Sequence, residues 1–556
     1  MKNMLLAAVA AAALTAPAMA APAPKPKLVV VISIDQFGAD LFSANRARFH
    51  HGLKQLGDGI VYPSAYHAHG QTETCAGHAV ILAGRHPSKT GIVANQWYDS
   101  ATGKSVYCTD DGAGVAAITP RESGVGPGLL KGSTFADWLK AADPKARVVA
   151  IAGKDRSAIM LAGHQPDAAF WLTAKGFDTW GADPEAARRR LELLTGFNAV
   201  LAARKPTAWT YADPACRKLE REVALAGGQR FASRVPPAPP PPFPGSPLRP
   251  DAAPPPPVID ALTLEAASRL IKTMDLGGGG GADLIGIGLS GTDMVGHAYG
   301  TQGPEMCDQL AHLDRSLGKF LAELRKDRRE TLVVVTADHG GADFPERLAE
   351  RGYGDARRLD PRSFLAALNA QVRAQAGVDW SPIKSSGLDV TQLYVVDRAG
   401  RPLADDQTRA KILEQAVSAL RAHKDVAGAW TAQELASRKV DARTEAPLLD
   451  LGDRMALSFF PGRSGDISLA LDPMVTPVPA IPGLFLLGHG SPYDTNRRVP
   501  LIFWWPGVAA QERTAPVNVV DLAPTLADAL GVPVPTEIDG RSLHIETTQA
   551  QTAKAH

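Results

Sequence analysis

Four apolar runs in this 556-residue chain are each followed closely by carboxylate or imidazole side chains. Leu28–Ile34 ends at Asp35. Leu284–Leu289 runs into Ser290-Gly291-Thr292-Asp293, with His297 a helical turn further on. Leu332–Thr336 ends in Ala337-Asp338-His339-Gly340, and Leu484–Leu487 ends in Gly488-His489-Gly490. Carboxylate oxygens and imidazole nitrogens are ligands that a catalytic zinc accepts while keeping one position open for substrate. Six such ligands divide into three for each of two ions. Two ions about 4 Å apart can hold the attacking and leaving oxygens of an in-line displacement. A single Asp after a strand is ordinarily a turn or cap residue, and a lone Asp-His pair matches many sequences by chance. Recurrence at four places is what points to a metal centre.

A nucleophile has candidates in Thr72-Glu73-Thr74-Cys75-Ala76-Gly77-His78, which precedes an apolar helical pattern. Thr favours the helix N-cap, and a helix N-terminus presents N–H groups and the positive dipole end to an anion. A hydroxyl there, close to a metal ion, loses its proton more readily and becomes a nucleophile. On these grounds Thr74 and Thr72 compete. Gly153-Lys154-Asp155-Arg156 follows the apolar run Val148–Ala152. Lys154 and Arg156, two apart in an extended segment, point to one side. A forked guanidinium and an ammonium point charge both suit phosphate oxygens.

These residues need a frame. Leu28–Ile34, Val148–Ala152, Leu284–Leu289, Leu332–Thr336, Leu484–Leu487 and Leu501–Trp505 read as buried parallel strands. Helical periodicity covers Ala261–Thr273 and Cys307–Leu324. The expected fold class is α/β, a mostly parallel sheet with helices on both faces, and ligands bind such sheets at the carboxyl ends of the strands. The gaps at about 98–145, 170–257 and 353–482 are too long for simple crossovers and predict insertions that form a cap. Within the last, 450–472 reads as a small hairpin. The proline-rich stretch 235–257 predicts an extended surface segment.

Residues 1–20 have the form of a signal peptide. Lys2 gives the positive start, Met4–Leu14 a short apolar run, and Ala18-Met19-Ala20 a cleavage site. A mature chain from Ala21, exported to the periplasm or secreted, is expected. No later segment reads as a membrane span. The formal net charge of +1 argues against a general nucleic-acid or membrane-surface binder. Four cysteines, Cys75, Cys108, Cys216 and Cys307, suit two disulfides in an oxidising compartment. Three connectivities are open, and sequence order favours Cys75 with Cys108 and Cys216 with Cys307.

Together the motifs resemble the bacterial, threonine-nucleophile alkaline phosphatases of the PafA/PhoK type, from about Lys27 to Leu543. The resemblance is carried by Ile34-Asp35-Gln36, Thr74-Cys75-Ala76-Gly77-His78, Gly91-Ile92-Val93-Ala94-Asn95, Lys154-Asp155-Arg156 and Thr292-Asp293-Met294-Val295-Gly296-His297. Thr336-Ala337-Asp338-His339-Gly340, His489-Gly490-Ser491-Pro492-Tyr493 and the C-terminal Asp539-Gly540-Arg541-Ser542-Leu543 complete it. It implies an alkaline-phosphatase-like fold and hydrolysis of small-molecule phosphate monoesters through a phosphothreonine intermediate at two Zn²⁺ ions. One ion would take Asp293, His297 and His489. The other would take Asp35, Asp338 and His339, with Thr74, rather than Thr72, beside it as nucleophile. Asn95, Lys154, Arg156 and the Cys75 backbone N–H would contact the non-bridging phosphate oxygens, while His78 packs. A monomer is expected, and Ca²⁺ at further sites is left open. A phosphodiesterase or nucleotide pyrophosphatase would use the same zinc set, and Lys154 and Arg156 favour monoesters over it. A non-catalytic metal- or phosphate-binding protein is the rival from another class.

Overall fold

The computed structural model describes residues 25–99, 101–205, 207–238, 255–326, 330–441 and 444–545. The expected signal peptide and most of the proline-rich stretch lie outside the described residues. The central sheet is built on eight strands: β1 (Leu28–Ile34), β2 (Ile60–Tyr66), β3 (Val148–Ala152), β4 (Ala168–Thr173), β5 (Gly176–Gly181), β6 (Asp283–Leu289), β7 (Thr331–Thr336) and β8 (Arg498–Trp504). Their spatial order is β2-β8-β7-β1-β6-β3-β4-β5, with short segments added at the edges. The five strands from β7 to β4 run parallel. All seven residues of β1 are fully buried. Because side chains alternate between faces along a strand, both faces of the sheet must be covered, as a parallel α/β sheet requires.

Three readings of the sheet change. Leu501–Trp505 is not parallel: it falls mainly in β8, which is antiparallel to both β7 and β2. Leu484–Leu487 is not a strand but a turn, closed by a bridge between Ile481 and Phe485. Leu486 and Leu487 are buried there, while Phe485 is exposed. The stretch from Phe170 to Gly181 belongs to β4 and β5, so the second insertion starts after the sheet's edge.

The third insertion forms a separate layer. Strands Ile383–Ser386, Asp389–Val395, Ile467–Leu471 and Val426–Thr431 make a four-stranded sheet in that spatial order. It shares its own core, including Val372, Leu393, Ile412, Ala416 and Ile467, with helices Pro361–Ala376 and Asp406–Arg421. The 450–472 segment is not a hairpin. It is a helix, Leu451–Ser458, followed by the strand Ile467–Leu471 that lies inside this cap sheet. The cap grips the main body beside the expected nucleophile. Ser458 Oγ accepts from the Gly70 and Gln71 N–H groups at 2.9 and 2.8 Å. Arg463 Nη1 donates to the Gly91 and Leu129 carbonyls at 2.6 and 2.7 Å. Disulfides join Cys75 to Cys108 and Cys216 to Cys307. No helix among the described residues is long and apolar enough to cross a membrane.

Candidate active site

Parallel registry brings the acidic residues together. Ile34 pairs with Leu289 and Ser33 with Thr336, so Asp35, the Ser290–Asp293 turn and Asp338 leave adjacent strand ends on one edge. Helix α1 (Thr74–Ala83) follows β2, α2 (Asp155–Ala162) follows β3, and α3 (Gly291–Tyr299), which carries Asp293 and His297, follows β6. His489 reaches the same edge by another route. Since β8 is antiparallel, the chain enters it from the edge where the parallel strands finish. The approaching loop is stitched to α3 by the Leu486 and Leu487 N–H groups, which donate to the His297 carbonyl at 2.7 and 3.3 Å.

All three imidazoles are held alike. Nδ1 of His297 lies 2.8 Å from the Leu487 carbonyl, Nδ1 of His339 3.0 Å from that of Gly340, and Nδ1 of His489 3.0 Å from that of Thr72. A carbonyl can only accept, so each Nδ1 carries the proton. Nε2 of each ring is then the atom turned toward the carboxylates, the one a histidine held this way offers to a metal. Nε2 of His297 and of His489 stand 3.3 and 3.6 Å from Asp293 Oδ1. Nε2 of His339 stands 3.5 Å from both Asp35 Oδ1 and Asp338 Oδ2. Donor atoms of Asp293, His339 and His489 lie within 4.8 Å of one another, and so do those of Asp35, Asp338 and His339. Five of the six expected ligands thus fall in two groups that share His339, whose ring stacks 3.7 Å from that of His489, and the sixth, His297, lies outside both groups but against Asp293.

Burial and mutual repulsion distribute the charge. Desolvation, helped by Asp293 and Asp338, pushes the Asp35 carboxyl well above its ordinary range. Burial acts the same way on Asp293, yet the His297 and Lys154 charges hold that carboxyl well below it. Desolvation keeps His339 and His489 low, which favours neutral, ligating imidazole. Lys154 Nζ lies 2.5 Å from both Asp35 Oδ2 and Asp293 Oδ2, one carboxylate from each group. Zinc fits this donor set. Asp35 Oδ1, His339 Nε2 and Thr74 Oγ1 are all buried without a hydrogen-bond partner, a costly state for polar atoms unless a cation takes up their lone pairs.

The two threonines separate. Thr72 Oγ1 donates to the Ser491 carbonyl at 2.9 Å, and its own carbonyl anchors His489. Thr74, the first residue of α1, has the unpartnered hydroxyl. The helix sits close to β7 because residue 77 is glycine: a Cβ there would come within 2.1 Å of the Asp338 carbonyl oxygen. His78, fully buried, places Nδ1 2.9 Å from the Thr74 carbonyl and 3.1 Å from Asp338 Oδ2.

Asn95 is fixed on three sides. Its N–H donates to Glu73 Oε2 at 2.8 Å, its carbonyl accepts from Cys108 N at 3.0 Å, and its Oδ1 accepts from Cys75 N at 2.8 Å. That leaves the Asn95 amide NH₂ as the outward donor. It also commits the Cys75 N–H, expected to face phosphate, to holding Asn95. Tyr107 has no signal in the sequence reading, yet it governs Arg156. Arg156 Nη1 donates to Tyr107 Oη at 3.1 Å, and Tyr107 Oη donates to Asp155 Oδ1 at 2.9 Å. Arg121 pairs with the other Asp155 oxygen, and Arg156 Nε is buried with no partner. Tyr107 sits in a hairpin within the first insertion, delivered by the Cys75–Cys108 bond. Such a contact leaves no spacing pattern. Among the described residues, metal-capable clusters of three or more side chains gather only in the two groups above, so none marks a cation site in the cap.

Residues 29–478 match the family described as type I phosphodiesterase / nucleotide pyrophosphatase. The chain is 37% identical over 536 residues to alkaline phosphatase PhoD of Zymomonas mobilis, covering 94% of this chain and 89% of that protein. It is 37% identical over 533 residues to alkaline phosphatase PhoK of a Sphingomonas species, covering 93% and 91%. The crystal structure of alkaline phosphatase PafA shares the fold, with a TM-score of 0.77 at 24% identity over 94% of this chain and 99% of that one.

Proposed function

The chain belongs to the type I phosphodiesterase / nucleotide pyrophosphatase family, among its PhoD/PhoK/PafA alkaline phosphatase relatives, and on that premise we propose that it is an exported alkaline phosphatase acting on phosphate monoesters through a phosphothreonine at a two-zinc site. One observation carries the reading: Thr74 Oγ1 is buried and unpartnered, and His78 links the Thr74 carbonyl to Asp338, one of five carboxylate and imidazole residues gathered in two groups that share His339. Asp293, His297 and His489 would hold one zinc, and Asp35, Asp338 and His339 the other. Bound there, the ions supply Lewis acidity that favours ionised oxygen on the nucleophile and on the leaving group.

The protein's own groups do the rest. Thr74 Oγ1, freed of its proton, attacks phosphorus in line as the bond to the leaving oxygen breaks. A water then attacks the phosphothreonine from the opposite side, restoring Thr74 and releasing phosphate. The α1 N-terminus, Asn95 Nδ2, Lys154 and Arg156 offset charge on the equatorial oxygens, which is where positioning and electrostatics act in phosphoryl transfer. His78 steadies the first turn of α1. The two cations, Lys154 and Arg156, favour a dianionic monoester over a diester.

Zinc analysis with a substrate panel tests this. Two zinc ions per chain, loss of activity on chelation with return on adding zinc, and higher kcat/KM for p-nitrophenyl phosphate than for its bis ester are expected. A preference for the bis ester would move the reading to a phosphodiesterase. Activity indifferent to full metal removal would remove the two-zinc site.

A further inference from the structure

Gln36 follows Asp35 and sits with φ 62 in the left-handed region, a conformation that disfavours any side chain with a Cβ and persists where its surroundings enforce it. It is 1% exposed. Its backbone N–H donates to Asp338 Oδ1 at 3.1 Å, and its side-chain Nε2 donates to Asp293 Oδ1 at 3.1 Å. Asp338 and Asp293 belong to different donor groups of the site. One residue therefore bonds a carboxylate of each. The amide must present its nitrogen, because an amide oxygen there would face the Asp293 carboxylate.

The packing admits this side chain and little else. A Cβ on residue 296 of α3 would lie 1.6 Å from Gln36 Oε1, and one on residue 341 would lie 3.1 Å from Gln36 Cδ. Both positions are glycine, so the helix carrying Asp293 and His297 and the loop after His339 each leave room for the Gln36 amide. The left-handed turn, closed by the Gly38 N–H donating to the Gln36 carbonyl at 3.0 Å, ends β1 and turns the chain away at this point.

We propose that Gln36 is a positioning residue that locks the Asp293 and Asp338 carboxylates into one relative orientation and so couples the two zinc groups. It binds neither ion; it fixes how the two carboxylates are turned relative to one another by holding Oδ1 of each. The inference rests on the two-zinc reading above.

The test is Gln36→Met, which keeps the length and volume and removes the side-chain donor to Asp293 while the backbone N–H stays on Asp338, with Gly296→Ala as a second variant that displaces the amide without altering Gln36. Each is purified, checked for native circular dichroism, stripped of metal and titrated with zinc against a chromophoric chelator. Loss of an outer hydrogen-bond partner typically weakens metal binding about 10–100-fold, and both ions are expected to weaken together, with kcat falling even at saturating zinc. Should one variant fail to fold, the other decides. Zinc affinity and kcat unchanged in a folded variant, or one ion weakened alone, would overturn the coupling while leaving the two-zinc reading intact. A wild-type chain that binds no zinc would overturn both.

Discussion

Removing the hydroxyl of Tyr107 should expose how much of the substrate preference depends on holding Arg156 still. Burial pushes the Tyr107 phenol up to about 12, so it stays protonated and must donate to Asp155 while accepting from Arg156 at 3.1 Å. Tyr107→Phe keeps the ring and cuts both bonds. A hydrogen bond to a charged group contributes about 1.5–3 kcal/mol, equivalent to about 10–150-fold in rate if it is felt wholly in the transition state. The Arg156 charge remains and only its placement is lost, so a fall of about 10–50-fold in kcat/KM for p-nitrophenyl phosphate is expected. For bis(p-nitrophenyl) phosphate, with one charged oxygen fewer, the fall should be several times smaller, and the ratio of the two kcat/KM values is the quantity to report. Arg156→Ala should lower the monoester rate further, and the double variant should be no worse than Arg156→Ala alone. Equal losses on both esters, or additive losses in the double variant, would refute the assignment of Tyr107 to Arg156.

Thr74→Ala should abolish covalent phosphate capture in acid-quenched reactions, whereas Thr72→Ala should still capture it, since His489 is anchored by the Thr72 backbone carbonyl rather than the hydroxyl. Replacing Cys216 and Cys307 together by Ser opens a bond spanning 91 residues. It should destabilise the chain by about 4–5 kcal/mol on chain-entropy grounds, read as a lower unfolding midpoint under non-reducing conditions, with Cys75–Cys108 left intact. Glu305, pushed up to about 7 by burial, is protonated in the folded chain where the unfolded one is ionised. Its contribution is full below about pH 4.5 and disappears as pH rises to about 7. Glu305→Gln should therefore flatten the decline in stability across that window, by roughly 3 kcal/mol at its upper end. Parallel declines in the two proteins would show that Glu305 titrates normally.

The candidate metal-ligand residues were legible because three of the four segments obey one rule. An apolar run of five to seven residues that forms a parallel strand delivers whatever follows it to the ligand edge, so Asp35, Asp293 and Asp338 announced themselves. His489 obeyed a different rule with the same outcome. Leu484–Leu487 looks like a strand by composition, but its carboxyl-side histidine arrives through a loop entering an antiparallel strand. Periodicity does not record strand direction. Trp171 and Thr179 of β4 and β5 lie in short, polar-flanked strands, and such strands resemble insertion sequence until the neighbours that bury them are known. Tyr107 and the third anchor of Asn95 depend on chain segments brought together by tertiary contact and a disulfide. Residue type alone could not single them out from other surface-looking tyrosines and turns.

The two stacked rings of the site also mark the ends of the cap. His339 precedes it and His489 follows it, about 150 positions later, yet their centroids are 3.7 Å apart. In chain topology the cap is thus a long loop whose mouth is the candidate site itself. Closing such a loop costs entropy that grows only with the logarithm of its length, about 0.6 kcal/mol for each doubling. Evolution can lengthen, trim or redecorate the cap at small expense to the centre that closes it. The family can therefore vary what its members admit to the site while the geometry at the mouth of the loop stays the same.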